Sequence, residues 1–275
     1  MAKKRQKAKL ELTRRDFLVM AGTAVGSAVF AQAVTTGPLS PFATLRQRQV
    51  AGAEGGLGHA AGKRWGMVIS LDRCIGCEYC LRACSATNDV NPDKVWNIVT
   101  EEKTSAGQTF FFSRPCLHCQ EAPCVEVCPV RATYVRDDGL VVMDYDRCIG
   151  CRYCEVACPY DARKFNWEER TDENPFVPTW GTPEVERRPR GVVEKCTFCI
   201  HRIDAGLAKG LTPGVDFEAT PACVNICPVG ARTFGDLHDP ESPVAQLVAN
   251  TPTLRLREEL GTEPSVYYIP PKEGL

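Results

Sequence analysis

Short apolar segments separated by polar turns run along the chain from residue 65 onward, and five of them predict β-strands. Two pairs of these segments flank polar turns at 105–108 and 137–139, which predicts two hairpins. The five segments are 65–71, 95–100, 109–112, 133–136 and 140–145. The pattern therefore predicts a series of short elements joined by turns.

The pattern is less regular after residue 168. Residues 168–195 contain four prolines among many charges and are expected to form a surface insertion. Residues 200–222 begin with a helical period that loosens at Gly210, Pro213 and Gly214. Farther on we predict a strand, two weak helices and an extended tail, at 231–234, 242–250, 254–260 and 264–269.

The first 33 residues have the layout of an export signal, in which seven basic residues against two acidic ones precede an apolar run. The segment around Arg14 and Arg15 resembles a twin-arginine signal, and the small residues at 31–33 offer a cleavage site. We therefore expect residues 1–33 to be a signal peptide, residues 34–64 to be a flexible leader, and the protein to be periplasmic or on the outer face of the cytoplasmic membrane.

An amino-terminal membrane anchor is the alternative, because the apolar run is about eighteen residues long and thus near the lower limit for a span. No second run of that length follows in the sequence. The mature chain is therefore not expected to span a membrane by itself.

Composition adds few constraints, since 275 residues with 44 % hydrophobic and 24 % charged residues are ordinary for a globular protein of one or two domains. Removal of residues 1–33 leaves 26 basic and 32 acidic residues, a net charge of −6. Nucleic-acid binding usually needs a basic face, so it is not expected.

The sixteen cysteines depart from an ordinary composition, because all of them fall into four runs of four. Two runs have the spacing C-x2-C-x2-C-x3-C, a third widens one gap, and the last contains residues 200–222 within one gap. Proline follows the final cysteine of every run except the first, where Ser85 follows Cys84. The runs are Cys74, Cys77, Cys80, Cys84; Cys116, Cys119, Cys124, Cys128; Cys148, Cys151, Cys154, Cys158; and Cys196, Cys199, Cys223, Cys227.

This spacing predicts iron-sulfur clusters. Three thiolates two residues apart can surround one cubane, and the fourth typically binds a second cluster. Cysteines this close within one turn are poorly placed for disulfides with each other. A zinc-stabilised structural protein is the alternative, but the third cysteine of such a run has no role in a zinc knuckle.

An internal repeat supports the same chemistry, because residues 72–77 and 146–151 have identical sequences. Gly76 and Gly150 stand between the first two cysteines of their runs. Glycine there lets backbone amides turn toward the cluster sulfurs, and such hydrogen bonds help to set the reduction potential.

The four runs in this order, with Cys-Leu-His-Cys in the second and Lys-Cys-Thr-Phe-Cys opening the fourth, resemble the four-cluster iron-sulfur subunits of the dimethyl sulfoxide reductase superfamily. The match covers about residues 65–270. It is similar in style to the exported subunits of polysulfide reductases, formate-dependent nitrite reductases and group 1 hydrogenases.

The resemblance implies an α+β fold with two ferredoxin-like two-cluster modules of βαββαβ type within residues 65–240. An inner module of about 110–165 would lie between the two parts of an outer module, about 65–100 and 190–240. Residues 241–275 are expected to be a tail that docks a partner.

In that family the first run pairs with the fourth and the second with the third, which implies four 4Fe-4S clusters here. We call the implied ligand sets I to IV. They are, in that order, Cys74, Cys77, Cys80, Cys227; Cys84, Cys196, Cys199, Cys223; Cys116, Cys119, Cys124, Cys158; and Cys128, Cys148, Cys151, Cys154.

The expected function is electron transfer, because the sequence contains no P-loop, dinucleotide fingerprint or nucleophile elbow. No catalytic residue and no small-molecule substrate are expected. The resemblance implies two partners, a molybdopterin-containing or other catalytic subunit and a polytopic quinone-reactive membrane subunit. It also implies that the mature chain associates with the membrane through its partner. A hydrogenase-associated or sulfur-metabolism subunit without a molybdenum partner is the alternative within the same class, and an independent polyferredoxin enzyme is another.

Several further residues near the runs are assigned structural roles. His118 is not expected to bind iron, because each cluster already has four thiolates. We expect a solvated face for Lys195, His201 and Arg202. The alternative is that these residues raise the potential of a cluster or contact a partner. Packing around the clusters is expected for Trp65, Tyr79, Trp96 and Tyr153.

Overall fold

The computed structural model describes residues 62–272. The predicted signal peptide and nearly all of the predicted leader lie outside these residues, and both stay predictions. Among residues 62–272, every helix is too short or too polar to cross a bilayer.

The described chain alternates short strands and short helices. The strands are β1 Trp65–Ser70, β2 Ile98–Lys103, β3 Thr109–Arg114, β4 Thr133–Val135, β5 Val141–Met143, β6 Arg163–Phe165, β7 Val193–Lys195, β8 Arg232–Asp236 and β9 Val266–Ile269. The helices are α1 Tyr79–Asn88, α2 Pro123–Glu126, α3 Tyr153–Ala157, α4 Ile200–Ala208, α5 Ala222–Asn225 and α6 Pro243–Asn250. This mixture confirms the predicted α+β class.

A three-stranded sheet brings the two ends of the described chain together. Strand β1 is central, with β8 antiparallel on one side and β9 parallel on the other. Met67 lies opposite Phe234 and Val266, and all six residues of β1 are buried. Burial of every β1 side chain explains its continuous apolar sequence, since a strand covered on both faces has no polar side to alternate.

Three two-stranded ladders make up the rest of the strand content: β2 with β3, β4 with β5, and β6 with β7. The first two are the predicted hairpins. Strand β2 begins at Ile98 and not at residue 95, because Trp96 and Asn97 are buried and the Asn97 side chain is used in polar contacts described below. The sequence does not predict the β6–β7 ladder, because Val193–Lys195 falls within the expected surface insertion.

Residues 168–191 are mostly exposed or half-buried, as expected of a surface insertion, but residues 192–195 are buried and several side chains anchor the segment. Asn174 is buried and its amide Nδ2 donates to the Ser85 carbonyl oxygen at 2.8 Å. Arg170 and Arg187 both pair with Asp89, which follows α1 directly. Polar side chains tie this segment to α1, a contact between distant parts of the chain that local sequence could not reveal.

The carboxyl-terminal region also differs from expectation. Residues 254–260 contain only a short 3-10 turn at Glu258–Leu260, because Leu254 instead exchanges backbone hydrogen bonds of 2.9 Å with Tyr268. Strand β9 is part of the three-stranded sheet, and Val266 and Tyr268 are fully buried. Residues 241–272 are thus built into the fold, and the docking role expected of 241–275 stays a prediction.

Candidate iron-sulfur cluster sites

The four cysteines of set I line one cavity between the end of β1, the start of α1 and the loop before β8: Cys74, Cys77, Cys80 and Cys227. Gly76 has φ +69°, in the left-handed region, and a Cβ there would overlap the Phe111 ring. Burial raises the pKa of the Cys74 thiol, and the Gly76 backbone amide opposes that rise. Glycine is required here because the chain must turn tightly enough to aim its amide at sulfur.

The four cysteines of set III line a second cavity, together with Val141, Tyr160 and Arg163: Cys116, Cys119, Cys124 and Cys158. Short helix α2 carries Cys124, and the loop ahead of it carries the first two cysteines. Burial, followed by the neighbouring Cys116 thiol, raises the pKa of Cys119 to about 12. Thiols from the second and third runs are therefore close neighbours.

All four cysteines of set II are buried. Burial raises the pKa of Cys84 well above its ordinary value, and the thiols of Cys196, Cys199 and Cys223 raise it further. The Asn88 amide Nδ2 lies 3.5 Å from the Cys199 sulfur and 3.8 Å from the Cys84 sulfur. Cysteines of the first and fourth runs thus surround one buried space.

Set IV lies nearer the surface. Burial raises the pKa of Cys154, and the Cys128 thiol adds to that rise from the neighbouring run. Cys148 and Cys151 precede α3 as Cys74 and Cys77 precede α1, and Gly150 between them has φ +66°. Cys151 is the exposed one of the sixteen cysteines.

Electrostatic effects between thiols of different sets indicate which sets are neighbours. The Cys80 thiol of set I helps, after burial, to raise the pKa of both Cys84 and Cys223 in set II. Cys116 of set III acts in the same way on Cys196 of set II, and Cys124 of set III acts on Cys154 of set IV. The order is therefore I, II, III, IV, with the half-buried set I at one end and set IV, which contains the exposed Cys151, at the other.

Backbone amides donate hydrogen bonds to the last cysteine of three runs. The Ala132 amide lies 3.2 Å from the Cys128 sulfur, and the Ala231 amide lies 3.2 Å from the Cys227 sulfur. The Ala162 amide lowers the pKa of Cys158, against the larger effect of burial. All three alanines belong to the sequence Cys-Pro-x-x-Ala, so one turn recurs with the same donor.

Buried polar side chains also reach the sulfur atoms, and the sequence analysis missed them. Asn97 Nδ2 donates to the Cys80 sulfur at 3.0 Å. Arg163 Nη2 donates to the Cys124 sulfur at 3.0 Å, and Arg232 Nη1 to the Cys223 sulfur at 3.6 Å. Both arginines directly follow a Cys-Pro-x-x-Ala sequence, which is a signal that could have identified them.

The expectation of a solvated face is wrong for Lys195, whose side chain is fully buried. Its Nζ donates to the Cys196 carbonyl oxygen at 2.8 Å and also to the Val141 carbonyl oxygen. His201 and Arg202 instead contact Glu184, within the 168–195 segment. Among the four aromatic residues, Trp65 and Trp96 are buried, whereas Tyr153 is largely exposed and does not pack inside as expected.

His118 uses both ring nitrogens in the fold. The Val141 amide donates to Nδ1 at 3.1 Å, so Nε2 carries the hydrogen and donates to the Cys196 carbonyl oxygen at 3.1 Å. Burial, followed by the charge of Lys195, lowers the pKa of His118 well below its ordinary value. The ring is neutral and fully engaged, which leaves no lone pair for iron.

These surroundings fit 4Fe-4S clusters. Each of the two cavities gathers four thiols, and amide or guanidinium donors point at the sulfurs. Hydrogen-bonded thiolate groups of this kind hold such clusters. Burial, opposed by Arg232, raises the pKa of Cys223 to about 12, so the thiols must lose protons when iron binds.

Two family models match the chain, and both are described as a 4Fe-4S dicluster domain. One matches residues 107–174, and the other matches residues 73–132 and 147–231. The chain belongs to this 4Fe-4S dicluster family. Two such domains and sixteen cysteines account for four 4Fe-4S clusters, and the zinc alternative is set aside.

Relatives of this protein are subunits of reductases. It is 42 % identical over 237 residues to the menaquinone reductase iron-sulfur cluster-binding subunit of Nitratidesulfovibrio vulgaris, covering 76 % of this chain and 90 % of the relative. It is 41 % identical over 221 residues to a selenate reductase subunit of Mesobacillus selenatarsenatis, covering 75 % and 72 %. It is 37 % identical over 218 residues to a polysulfide reductase polypeptide of Wolinella succinogenes, covering 77 % and 97 %.

Other relatives carry the names of an iron-sulfur subunit of a dimethyl sulfoxide reductase and of a tetrathionate reductase subunit. The protein is therefore a 4Fe-4S electron-transfer subunit of the dimethyl sulfoxide reductase superfamily, as the resemblance implied.

Proposed function

We propose that this protein carries single electrons between a catalytic subunit and a quinone-reactive membrane subunit of an exported reductase complex. The observation that carries the proposal is the linear order of sets I to IV, with mostly buried thiols in the middle and mostly half-buried or exposed thiols at both ends. Each 4Fe-4S cluster, when bound, accepts and returns one electron. Exposed ends suit exchange with other proteins, and a buried middle limits loss of electrons to solvent.

The ligand assignment is part of the proposal. Sets I and II would hold the two clusters of the outer module, and sets III and IV the two clusters of the inner module. Outer and inner here refer to position along the sequence, and both modules would be ferredoxin-like. The cysteines of set I line one cavity and those of set III line another. In set II, the thiols of Cys196, Cys199 and Cys223 raise the pKa of Cys84. These observations support this grouping. The chain itself binds the clusters, donates hydrogen bonds to their ligands and excludes water from set II, whose four cysteines are all buried.

Partner surfaces are proposed at the two ends of the series of sets. Around set IV, three apolar side chains are exposed near Cys151: Ile149, Tyr153 and Val156. At set I, Ile75 and Tyr79 are exposed beside Cys74 and Cys77. Apolar side chains next to a redox group are suited to exclude water from a contact across which an electron moves.

The names of the relatives support a reductase complex, since they include a menaquinone reductase, a selenate reductase and a polysulfide reductase. Export through the twin-arginine route is proposed from the pattern around Arg14 and Arg15. That route would allow the clusters to be assembled on reduced thiols before transport.

Freeze-quench EPR of the intact membrane complex during turnover tests the relay. Addition of the electron donor, either quinol or the reduced substrate of the catalytic subunit, should produce reduced 4Fe-4S signals within one turnover time, and addition of the corresponding acceptor should remove them at the same rate as turnover. Clusters that change oxidation state much more slowly than turnover would rule out the relay. Membranes from a strain that lacks this subunit provide the matched background spectrum.

A further inference from the structure

Three cationic side chains lie inside the protein, away from solvent. Arg163 and Lys195 are 1 % and 0 % exposed, and Arg232 is 6 % exposed. A buried charge is costly unless it has a partner of opposite charge or several hydrogen bonds. The surroundings of each cation therefore show which charge it serves.

Arg232 lies between sets I and II. Its Nη1 is 3.6 Å from the Cys223 sulfur of set II, and its Nη2 donates to Asn97 Oδ1 at 2.8 Å. Asn97 in turn donates to the Cys80 sulfur of set I at 3.0 Å. The same guanidinium also lines the set I cavity. One cation thus faces thiols of two successive sets.

Arg163 takes the corresponding place between sets III and IV. Its Nη2 is 3.0 Å from the Cys124 sulfur of set III, and its side chain also lies within hydrogen-bond reach of Cys154 in set IV. Its remaining contacts are neutral, with Thr133 Oγ1 at 2.7 Å and the Met143 sulfur at 3.0 Å. Arg232 repeats this neutral shell, because it contacts the Met67 sulfur and the Ser113 hydroxyl.

Lys195 lies at the middle gap, between sets II and III. Its Nζ donates to the carbonyl oxygen of Cys196, a set II cysteine, and to that of Val141, which lines the set III cavity. Every gap in the order I, II, III, IV therefore contains one buried cation.

Within residues 62–272, none of these three cations forms an ion pair with a carboxylate, as judged by their contacts. The other buried arginines differ. Arg136 pairs with Asp138 at 2.6 Å, and Arg188 pairs with Glu194 at 3.1 Å. Carboxylates are thus used to neutralise buried arginines elsewhere in the fold, but not beside the cysteine sets.

We propose that Arg232, Lys195 and Arg163 act on electron transfer through the clusters. Each of these cations raises the reduction potentials of the two clusters that flank it. Reduction adds one negative charge to a cluster, and a fixed cation in a medium of low dielectric favours the form with more negative charge. A carboxylate partner would cancel this effect, which explains its absence. The inference rests on the relay proposed above and goes beyond it by assigning the residues that set its energies.

EPR-monitored redox titration of the full complex tests the proposal through the variants Arg163→Met and Arg232→Met. Arg163→Met should make reduction of the two clusters of sets III and IV about tenfold less favourable, a shift of about 59 mV for one electron. The signals of the other two clusters should stay unchanged. Arg232→Met should shift the two signals that Arg163→Met leaves in place. The comparison between variants needs no prior assignment of signals.

The matched control is Arg147→Met. Arg147 precedes Cys148, so the same charge is removed next to a predicted ligand, but its side chain is 60 % exposed and pairs with Asp144. Solvent screens an exposed charge, so we expect all four potentials to shift less than twofold in equilibrium constant. Equal shifts in Arg147→Met and Arg163→Met would overturn the proposal, as would unchanged potentials in both methionine variants of the buried arginines.

The variants Arg163→Lys and Arg163→Gln separate charge from packing, with iron content measured in each. Lysine should keep iron and potentials near wild type, whereas glutamine should behave like methionine. Loss of iron in the methionine, glutamine and lysine variants alike would show a purely structural role and overturn the proposal. A wild-type complex whose clusters are not reduced during turnover would instead count against the relay itself, so the two failures are distinguishable.

Discussion

Single glycines decide whether the cysteine loops can close. Gly76 and Gly150 occupy the same place in the internal repeat, and both have a positive φ. At Gly150 the neighbouring atoms are the Gly191 carbonyl oxygen and the Phe165 ring, which a Cβ would overlap. The backbone is therefore constrained both by its own conformation and by close packing against the next ladder.

Gly150→Ala should therefore cost the protein the cluster that set IV is proposed to hold. Iron and sulfide analysis of anaerobically purified protein is expected to show a loss of about four irons from about sixteen. The matched control is Gly107→Ala, which has φ +86° but no atom within 4 Å of its Cβ. It should bear only the backbone strain of about 1 to 3 kcal/mol and keep full iron content. Equal iron loss in both variants would contradict the packing argument.

Residue-scale prediction is strongest where the chemistry is local, and the ligand sets that it names stay predictions. The sixteen cysteines and the two repeat glycines were identified from spacing alone, and the cavities gather the same cysteines that were placed in sets I and III. The expectation for Lys195 was wrong because its Nζ is held inside the protein by the carbonyl oxygens of Val141 and Cys196. Val141 lies 54 residues away along the chain. Charge pattern along the chain carries no information on such a contact.

At the scale of elements, the 168–195 segment is held against α1 by a cluster of charges. Burial alone would raise the pKa of Asp89, but Arg187 and Arg170 hold it below its ordinary value of 3.8. A carboxylate with a lowered pKa stabilises the fold above its unfolded pKa, and this stabilisation is lost as pH falls through the folded pKa. The segment should therefore loosen below about pH 3.8.

Asp89→Asn should reproduce that loosening at neutral pH. The variant leaves two guanidinium groups without their carboxylate, at an expected cost of about 1 to 3 kcal/mol. Limited proteolysis should show faster cleavage within 168–195, and in the wild type the same cleavage should appear as the pH is lowered below 3.8. Glu218→Gln is the control, because its pair with Lys209 is largely exposed and contributes little. Proteolysis equal to wild type in Asp89→Asn would exclude the anchoring role.

Element prediction followed the same division between local and distant causes. The two hairpins around residues 105–108 and 137–139 formed because turn residues and alternating strands act locally. The predicted helix at 254–260 did not form, since Tyr268 pairs with Leu254 and the Tyr160 hydroxyl donates to the Leu256 carbonyl oxygen. Contacts from distant segments outweighed a weak helical period.

At the scale of the whole molecule, the fold is organised by its sulfur atoms as much as by its sheets. Segments from the first and fourth runs meet around sets I and II, and β1 with β8 and β9 closes that end. The order of the sets could not be derived from sequence, because spacing within a run does not state which run lies beside it. The resemblance to a known family supplied the pairing instead.

Export of the whole molecule should depend on Arg14 and Arg15. Replacement of both by lysine is expected to leave a folded, cluster-loaded protein in the cytoplasm, because the signal is read by a receptor. Cell fractionation with immunoblotting and iron analysis would check this result. A variant exported at the normal level would contradict the twin-arginine assignment, and Lys3→Arg with Lys4→Arg serves as a control that keeps the basic leader.

Pairing of the runs predicts how damage at one cysteine spreads. Cys227 lines the set I cavity although it is more than a hundred residues from Cys74, and Cys158 lines the set III cavity. Cys227→Ser should therefore perturb the cluster held by the first run and leave the clusters of sets III and IV nearly unchanged, because each cluster's potential depends mainly on its own ligands, hydrogen bonds and exposure.

Cys158→Ser is the matched variant and should perturb the cluster of the second run. EPR spectra of both variants, compared with wild type, should each lose or shift one signal, and not the same one. A common signal lost in both variants would show that the fourth and third runs share a cluster, which would overturn the pairing and the order of the sets.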